Sequence, residues 1–166
     1  MLFRSEGNGG IPTGPEGELQ RRQLEAFMLA FPTNLAPVVG QQITLDASSS
    51  AALQARADLL RQRADAEECD LIAKAEIGDA EAGFVYTGSG MFRADRKAEP
   101  AIPEAALRDL ALSHPVTYTC VPAGSGQRLG VDRDGDGFWD GDERAANSDP
   151  ADPTSTPTGT TAAAAQ

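Results

Sequence analysis

Apolar residues recur at helical spacing in the first part of the chain. In residues 17–31 they fall on one face of a helix, and Pro32 follows the segment. The residues on this face are Leu24, Phe27, Met28 and Phe31. Such a stripe predicts an amphipathic helix that buries its apolar face in a core and ends at the proline.

A second segment with helical spacing follows residues 48–50, whose serines can cap the N-terminus of a helix. The predicted helix runs to the region of Glu67. Its apolar face consists of Leu53, Ala57, Leu60 and Ala64. The arginines lie on the opposite face, which predicts that they are solvated.

Later segments alternate between apolar and polar residues, as strands do. Residues 71–77 and 116–121 alternate, and residues 83–95 predict a hairpin with its turn at residues 87–90. Pro103 fits the first turn of a short helix between the hairpin and the last strand. We therefore predict an α+β fold, in which a small, mainly antiparallel sheet carries two to three helices on one side.

The most specific chemical pattern in the chain is a twelve-residue calcium loop at residues 132–143. Such loops place acidic residues at positions 1, 3, 5, 9 and 12 and a turn glycine, here Gly137, at position 6. The predicted ligands are Asp132, Asp134, Asp136, the main-chain carbonyl of Phe138, Asp140 directly or through a water, and Glu143. Ca²⁺ is the predicted ion, because Mg²⁺ demands a tighter octahedron; a solvated acidic turn is the alternative.

A full EF-hand would need a helix on each side of this loop. Residues 122–130 contain three glycines and one proline, which predicts turn and coil on the entering side. Residues 142–146 can form one helical turn before residues 147–150 stop it. No second copy of the loop occurs in the sequence, so we predict an EF-hand-like loop with a structural role and not a paired sensor.

Residues 132–152, DRDGDGFWDGDERAANSDPAD, resemble the thrombospondin type 3-like calcium repeats of secreted bacterial proteins. The shared features are the DxDxDGxxD loop, the acidic residue that follows it and the downstream Asp-Pro.

A longer resemblance extends upstream through FPTNLAPVVGQQITL, ECDLIAKAE and VTYTCVPAGSGQRLGVDRDGDG. These segments are similar to the C-terminal region of large exported bacterial proteins that carry β-propeller and c-type cytochrome domains. The resemblance implies that the chain is the C-terminal part of a larger exported protein. The sequence contains no CxxCH, so covalent haem is not expected within it.

The chain has two cysteines, Cys69 and Cys120. An even number of cysteines beside an extracellular type of calcium motif predicts a disulfide between them. The bond would fix the last predicted strand to the start of the first one. Two buried free thiols are the alternative, and the spacing of the cysteines does not match a zinc site.

The formal net charge is −11, and eight acidic residues against two arginines lie within residues 132–152. This excess disfavours nucleic acids and anionic membrane surfaces as partners and favours cations. No apolar stretch is long enough to span a membrane, and the N-terminus lacks the pattern of a signal peptide. An extracellular or periplasmic location is still the prediction, with the signal expected upstream of this fragment.

We therefore predict a linker or fragment end at residues 1–16, an α+β domain with a disulfide at residues 17–121 and a calcium-binding region at residues 122–152. A disordered tail is predicted for residues 153–166, which lack apolar periodicity.

No catalytic constellation is visible in the sequence, and an enzyme is not predicted. His114 is the only histidine and precedes a proline in a connection. The predicted function is a non-catalytic, calcium-stabilised C-terminal module with other domains of the parent protein as partners. The alternatives are an accessory docking region of a secreted c-type cytochrome and β-propeller redox protein, or a calcium-dependent surface adhesion module.

Overall fold

The computed structural model describes residues 12, 14–29, 34–78 and 80–157, with the backbone alone for Met28 and Leu29. The chain divides into two compact units, Met1–Leu35 and Ala36–Gln166. No helix among the described residues is long and apolar enough to cross a membrane.

The first unit contains helix α1 at Pro15–Leu29. Proline suits the first position of a helix, because its fixed φ is already helical. The prediction of a helix here is confirmed over the described range. The predicted burial of its apolar stripe is wrong for Phe27, which is 62% exposed, and Leu24 is half-buried. The Met28 side chain, Phe31 and Pro32 lie outside the described residues.

The second unit is built on a six-stranded antiparallel sheet with strand order β1-β6-β2-β3-β4-β5. The strands are β1 at Gln42–Leu45, β2 at Asp70–Ile77, β3 at Ala80–Gly88, β4 at Met91–Ala94, β5 at Ile102–Pro103 and β6 at Val116–Val121. The predicted α+β class with an antiparallel sheet is confirmed.

The turn between β3 and β4 lies at Ser89 and Gly90, inside the predicted turn at residues 87–90. Both residues have positive φ, 53° for Ser89 and 74° for Gly90. Two successive residues of this kind match the right-handed twist of the strands that they join. Local sequence therefore sets the register of this hairpin.

One face of the sheet is covered by helix α2 at Ala51–Asp65 and helix α3 at Glu104–Leu110. Ser50 caps α2 as predicted, because its hydroxyl accepts a hydrogen bond from the Leu53 main-chain N–H at 3.4 Å. The sheet side of this core includes Leu71, Ala73, Phe84, Val116, Tyr118 and Cys120. The predicted alternation in the strands at residues 71–77 and 116–121 is confirmed, except that Ile77 is 41% exposed.

The predicted disulfide is present between Cys69 and Cys120, which are 51 positions apart in the sequence. Cys69 immediately precedes β2, and Cys120 lies in β6. The bond therefore joins the neighbouring strands β6 and β2 at the end of the sheet that leads into the acidic loop.

The opposite face of the sheet carries two further short helices, α4 at Gly126–Gly130 and α5 at Asp140–Ala146. Two predictions are corrected by them. The entering side of the loop is helical and not coil, and helices lie on both faces of the sheet. The two to three helices predicted for the α+β domain are α1, α2 and α3. The alternation predicted for residues 71–77 places Ile72 on the face opposite Leu71, with Lys74 and Glu76, but Ile72 is only 6% exposed because Gly130 packs on it.

Residues 153–157, the start of the predicted tail, form turns and short coil, and Pro157 is buried. Residues 158–166 lie outside the described residues.

Close packing of α4 on the sheet requires glycine at position 83. A Cβ atom added to Gly83 would lie 2.0 Å from the Gly130 carbonyl oxygen. We expect Gly83→Ala to lower the free energy of unfolding by about 1–3 kcal/mol, as overpacking does. Urea unfolding measures this loss. Thr87→Ala, at an exposed position of the same strand, is the control, and an equally small effect for both variants would contradict the prediction.

Candidate metal centre

The acidic loop connects α4 to α5 on the second face of the sheet. Its sharp bends occur at Gly135 and Gly137, whose φ angles are +77° and +94°. A side chain would be strained at either position. Gly137 is the glycine that the calcium pattern places at position 6, so the local backbone agrees with the sequence prediction.

Three aspartates of the loop converge on one point. One oxygen from each of Asp132, Asp134 and Asp136 can be chosen so that all three lie within 4.8 Å of one another. Main-chain N–H groups within the loop donate to the Oδ1 atom of each residue, at 2.9 Å for Asp132, 3.2 Å for Asp134 and 2.8 Å for Asp136. The Oδ2 atoms of Asp134 and Asp136 are buried and have no hydrogen-bond partner among the described residues.

Glu143 is fully buried at 0% exposure, and neither of its carboxylate oxygens has a hydrogen-bond partner in the described part of the chain. Burial, together with the charges of Asp134 and Asp136, raises the pKa of Glu143 to about 7. Buried carboxylates are normally paired or bound to a metal, since an unpaired buried charge is costly. Glu143 lies one turn into α5, and the charges of Asp134 and Asp136 reach it, but its oxygens are not among those that lie within 4.8 Å of one another.

Burial also raises the pKa of Asp134, and the neighbouring carboxylates of Asp136, Asp132 and Asp140 act in the same direction. The loop thus concentrates negative charge without an equal number of cationic partners. A cation at this point would relieve both the repulsion and the lost hydration.

Asp140, the residue at position 9, is placed differently. Its side chain is 1% exposed, and both of its oxygens accept hydrogen bonds from Arg133. The Arg133 main-chain N–H donates to Oδ1 at 2.9 Å, and Nε donates to Oδ2 at 2.8 Å. Arg144 lies 3.9 Å from the same Oδ2. The predicted role of Asp140 as a ligand, directly or through water, stays a prediction.

Phe138 is half-buried, and its main-chain N–H donates to Asp136 at 2.8 Å. Its carbonyl remains the predicted ligand of position 7.

Sequence patterns did not reveal Asp95, which anchors the exiting helix to the sheet. Its carboxylate accepts hydrogen bonds from the Gly83 main-chain N–H at 3.0 Å and from Arg144, and its carbonyl accepts one from the Gly141 N–H at 2.8 Å. Asp95 comes directly after β4, and only the folded sheet brings it to α5. The position of Glu143 therefore depends on the sheet as well as on the loop.

Trp139, at position 8 of the loop, also contacts the sheet. The guanidinium carbon of Arg93 in β4 lies 4.4 Å from the centre of the indole ring, and Trp139 is 5% exposed. A cation over an indole face is attracted by the ring electrons. This position often pairs two calcium loops, but here it attaches one loop to its own sheet.

Carboxylate and carbonyl oxygens are the donors that hard divalent cations prefer, and the open geometry of an acidic loop suits Ca²⁺ better than Mg²⁺. The residues present fit a calcium ion, because the three aspartates converge and the buried carboxylate of Glu143 has no hydrogen-bond partner in the part of the chain that the structure describes.

The fold and the site define a small α+β disulfide-bonded unit that ends in an acidic, calcium-type loop. Residues 132–153 match the family described as Bacterial TSP3 repeat. The predicted thrombospondin type 3-like repeat is thereby confirmed, and the repeat is of a calcium-binding type. No curated protein and no solved structure matches the chain.

Proposed function

We propose that residues 132–143 bind one Ca²⁺ and that this ion stabilises the second unit without taking part in catalysis. The observation that carries the proposal is the buried carboxylate of Glu143, which has no hydrogen-bond partner among the described residues and lies beside Asp134 and Asp136. Position 12 of the calcium pattern closes the coordination sphere with both carboxylate oxygens. A residue so placed stabilises the fold only when a cation joins it.

The ligand set is assembled from the loop upward. Asp132, Asp134 and Asp136 would each offer one oxygen, Phe138 its carbonyl and Glu143 two oxygens. This gives roughly six oxygens, the lower end of what Ca²⁺ takes, and leaves room for water.

Packing of the flanking helices supports a structural role. The loop is bounded by α4, with five residues, and α5, with seven. The first packs on the sheet through Gly130, and the second is held by Asp95. Sensor loops expose an apolar groove when their long helices separate, and these short, anchored helices lack that freedom.

A non-catalytic role is part of the proposal. The carboxylates of Asp132, Asp134, Asp136 and Glu143 are assigned to the ion, that of Asp140 to Arg133, and that of Asp142 accepts a hydrogen bond from the Lys97 main-chain N–H. His114 is half-buried in the connection between α3 and β6. Screening the purified chain for hydrolase activity tests this view, and reproducible turnover that is lost on mutation of a named residue would overturn it.

The disulfide and the calcium-type repeat indicate an extracellular type of module, and we propose that the protein acts outside the cytosol. The resemblance of the upstream segments supports a further proposal, that this region docks against redox domains of a larger exported protein. Coding sequence that adjoins this region and contains CxxCH motifs would support it, and neighbouring sequence without them would contradict it.

Calcium titration by calorimetry tests the metal site directly. We expect the wild-type chain to bind one ion with a Kd on the order of 10⁻⁴ to 10⁻³ M, as extracellular modules of this type do. Asp132→Ala is expected to weaken binding at least about tenfold, since it removes one carboxylate ligand. Asp109→Ala, at an exposed position of α3, has the same change in charge and serves as the control. Identical isotherms for wild type and Asp132→Ala would refute the assignment.

A further inference from the structure

Arg133, at position 2 of the loop, holds the carboxylate that the calcium pattern assigns to position 9. Its main-chain N–H and its Nε contact different oxygens of Asp140, at 2.9 and 2.8 Å. Asp140 is 1% exposed, so water does not compete for these oxygens. One carboxylate of the acidic loop, that of Asp140, is therefore already paired with a positively charged side chain of the protein itself, that of Arg133.

The contrast with Glu143 is direct. Both of its oxygens are buried without a hydrogen-bond partner among the described residues, whereas both oxygens of Asp140 accept hydrogen bonds from Arg133. The Oδ2 atoms of Asp134 and Asp136, like the Oε atoms of Glu143, are buried and have no hydrogen-bond partner among the described residues. The structure thus leaves some carboxylates available to an ion and withholds another.

A second contact fixes the guanidinium of Arg133 to the sheet. Its Nη2 donates to Glu81 in β3 at 2.9 Å, and Lys74 contacts the same oxygen of Glu81 at 3.0 Å. Arg133 is therefore tied to two carboxylates, one in the loop and one in the sheet. Moving it away from Asp140 would disrupt both ion pairs.

We propose that Arg133 sets the calcium affinity of the loop by keeping Asp140 out of the coordination sphere. The proposal rests on the calcium binding proposed above and assigns a new role to a residue outside the ligand set. Position 9 of the sphere would then be filled by water, and the site would bind calcium more weakly than the five acidic residues at its liganding positions suggest.

The physical reason is a difference between the ion-free and the ion-bound states. Without an ion, the guanidinium neutralises one buried carboxylate and lowers the repulsion within the acidic group. With an ion bound, the same positive charge repels the cation. A group that stabilises the ion-free state more than the ion-bound state must weaken binding.

Calcium titration of Arg133→Gln by calorimetry tests the proposal. We expect this variant to bind calcium about tenfold more tightly than wild type, at the low end of usual coupling between sites. The ion-free Tm should fall, because Asp140 loses its charged partner. Arg128→Gln, in α4, removes the same charge without contacting Asp140, and its affinity should stay within about twofold of wild type by screening.

The double variant Arg133→Gln with Asp140→Asn separates release of the carboxylate from loss of a nearby charge. We expect it to lose most of the gain in affinity. Equal or weaker binding by Arg133→Gln, or a gain that persists in the double variant, would overturn the proposal.

If Arg133→Gln does not fold, Arg133→Lys replaces it. Lysine keeps the positive charge, but its single ammonium group cannot contact Asp140 and Glu81 as the two ends of the guanidinium do. The lysine variant should bind more tightly than wild type, and binding no tighter would also overturn the proposal. Failure of the wild type to bind calcium would instead refute the proposed function.

Discussion

Glu143→Gln is expected to abolish the rise in Tm that calcium causes and, at the same time, to raise the Tm of the ion-free protein. The buried carboxylate has no partner in the described part of the chain, so a neutral amide of the same shape removes an uncompensated charge. It also removes the bidentate ligand that closes the calcium sphere. The two effects have opposite signs, which a general loss of stability cannot produce.

The size of the wild-type response follows from mass action. Free calcium at about 10 to 100 times its Kd stabilises a protein by about 1.4 to 2.7 kcal/mol. For a chain of this length, this corresponds to a rise in Tm of roughly 3 to 10 °C. Thermal unfolding of both proteins in excess calcium and in excess chelator measures the two shifts.

Glu76→Gln provides the matched control, because it makes the same chemical change at an exposed position of β2. It should keep the full calcium response. A calcium response in Glu143→Gln as large as that of wild type would show that Glu143 is not a ligand.

Removal of the disulfide is expected to cause the largest loss of stability in the absence of any ligand. A bond between positions 51 apart restricts the unfolded chain, and chain entropy gives a contribution of about 4 kcal/mol for a loop of this length. Cys69 is 3% exposed and Cys120 is fully buried, so the cysteines also lie within the core. Urea unfolding of Cys69→Ala with Cys120→Ala measures the loss.

Reduction of the wild-type protein provides the second arm, since it breaks the bond without removing atoms from the core. Both treatments should lower the free energy of unfolding by similar amounts, with a further loss in the double alanine variant from the cavities that it creates. An unchanged urea midpoint after complete reduction would show that the bond contributes little.

Local sequence signals predicted those parts of the structure that depend on few neighbours. Ser50 caps α2 because its hydroxyl reaches the next turn, and the turn at Ser89 and Gly90 depends on positive φ. The loop aspartates converge because glycines at fixed offsets bend the backbone between them. In each case a few residues determine the local geometry.

Elements that form through distant contacts were missed. Strand β1 has only four residues and forms by pairing with β6, more than seventy positions away. Nothing in its local pattern signals that partner. The same reason explains why Asp95 was not predicted as an anchor of the exiting helix.

Helix α4 shows how composition can mislead. Its glycines predicted coil, yet Gly126 and Gly130 are needed because the helix lies so close to the sheet. A Cβ atom at Gly126 would be 2.8 Å from the Asp70 Cβ, and the Gly126 N–H donates to the Asp70 carboxylate at 2.7 Å. Tertiary contact here overrides the low helix propensity of glycine.

The position of Trp139 has a practical consequence. It is the only tryptophan in the chain, it lies between two residues of the predicted ligand set, and Arg93 covers its indole ring. Indole emission depends on the polarity around the ring, and this ring is shielded only while the loop stays packed on the sheet. The protein therefore carries a single intrinsic fluorophore at the acidic loop, and optical spectroscopy can follow the state of that loop without any added label.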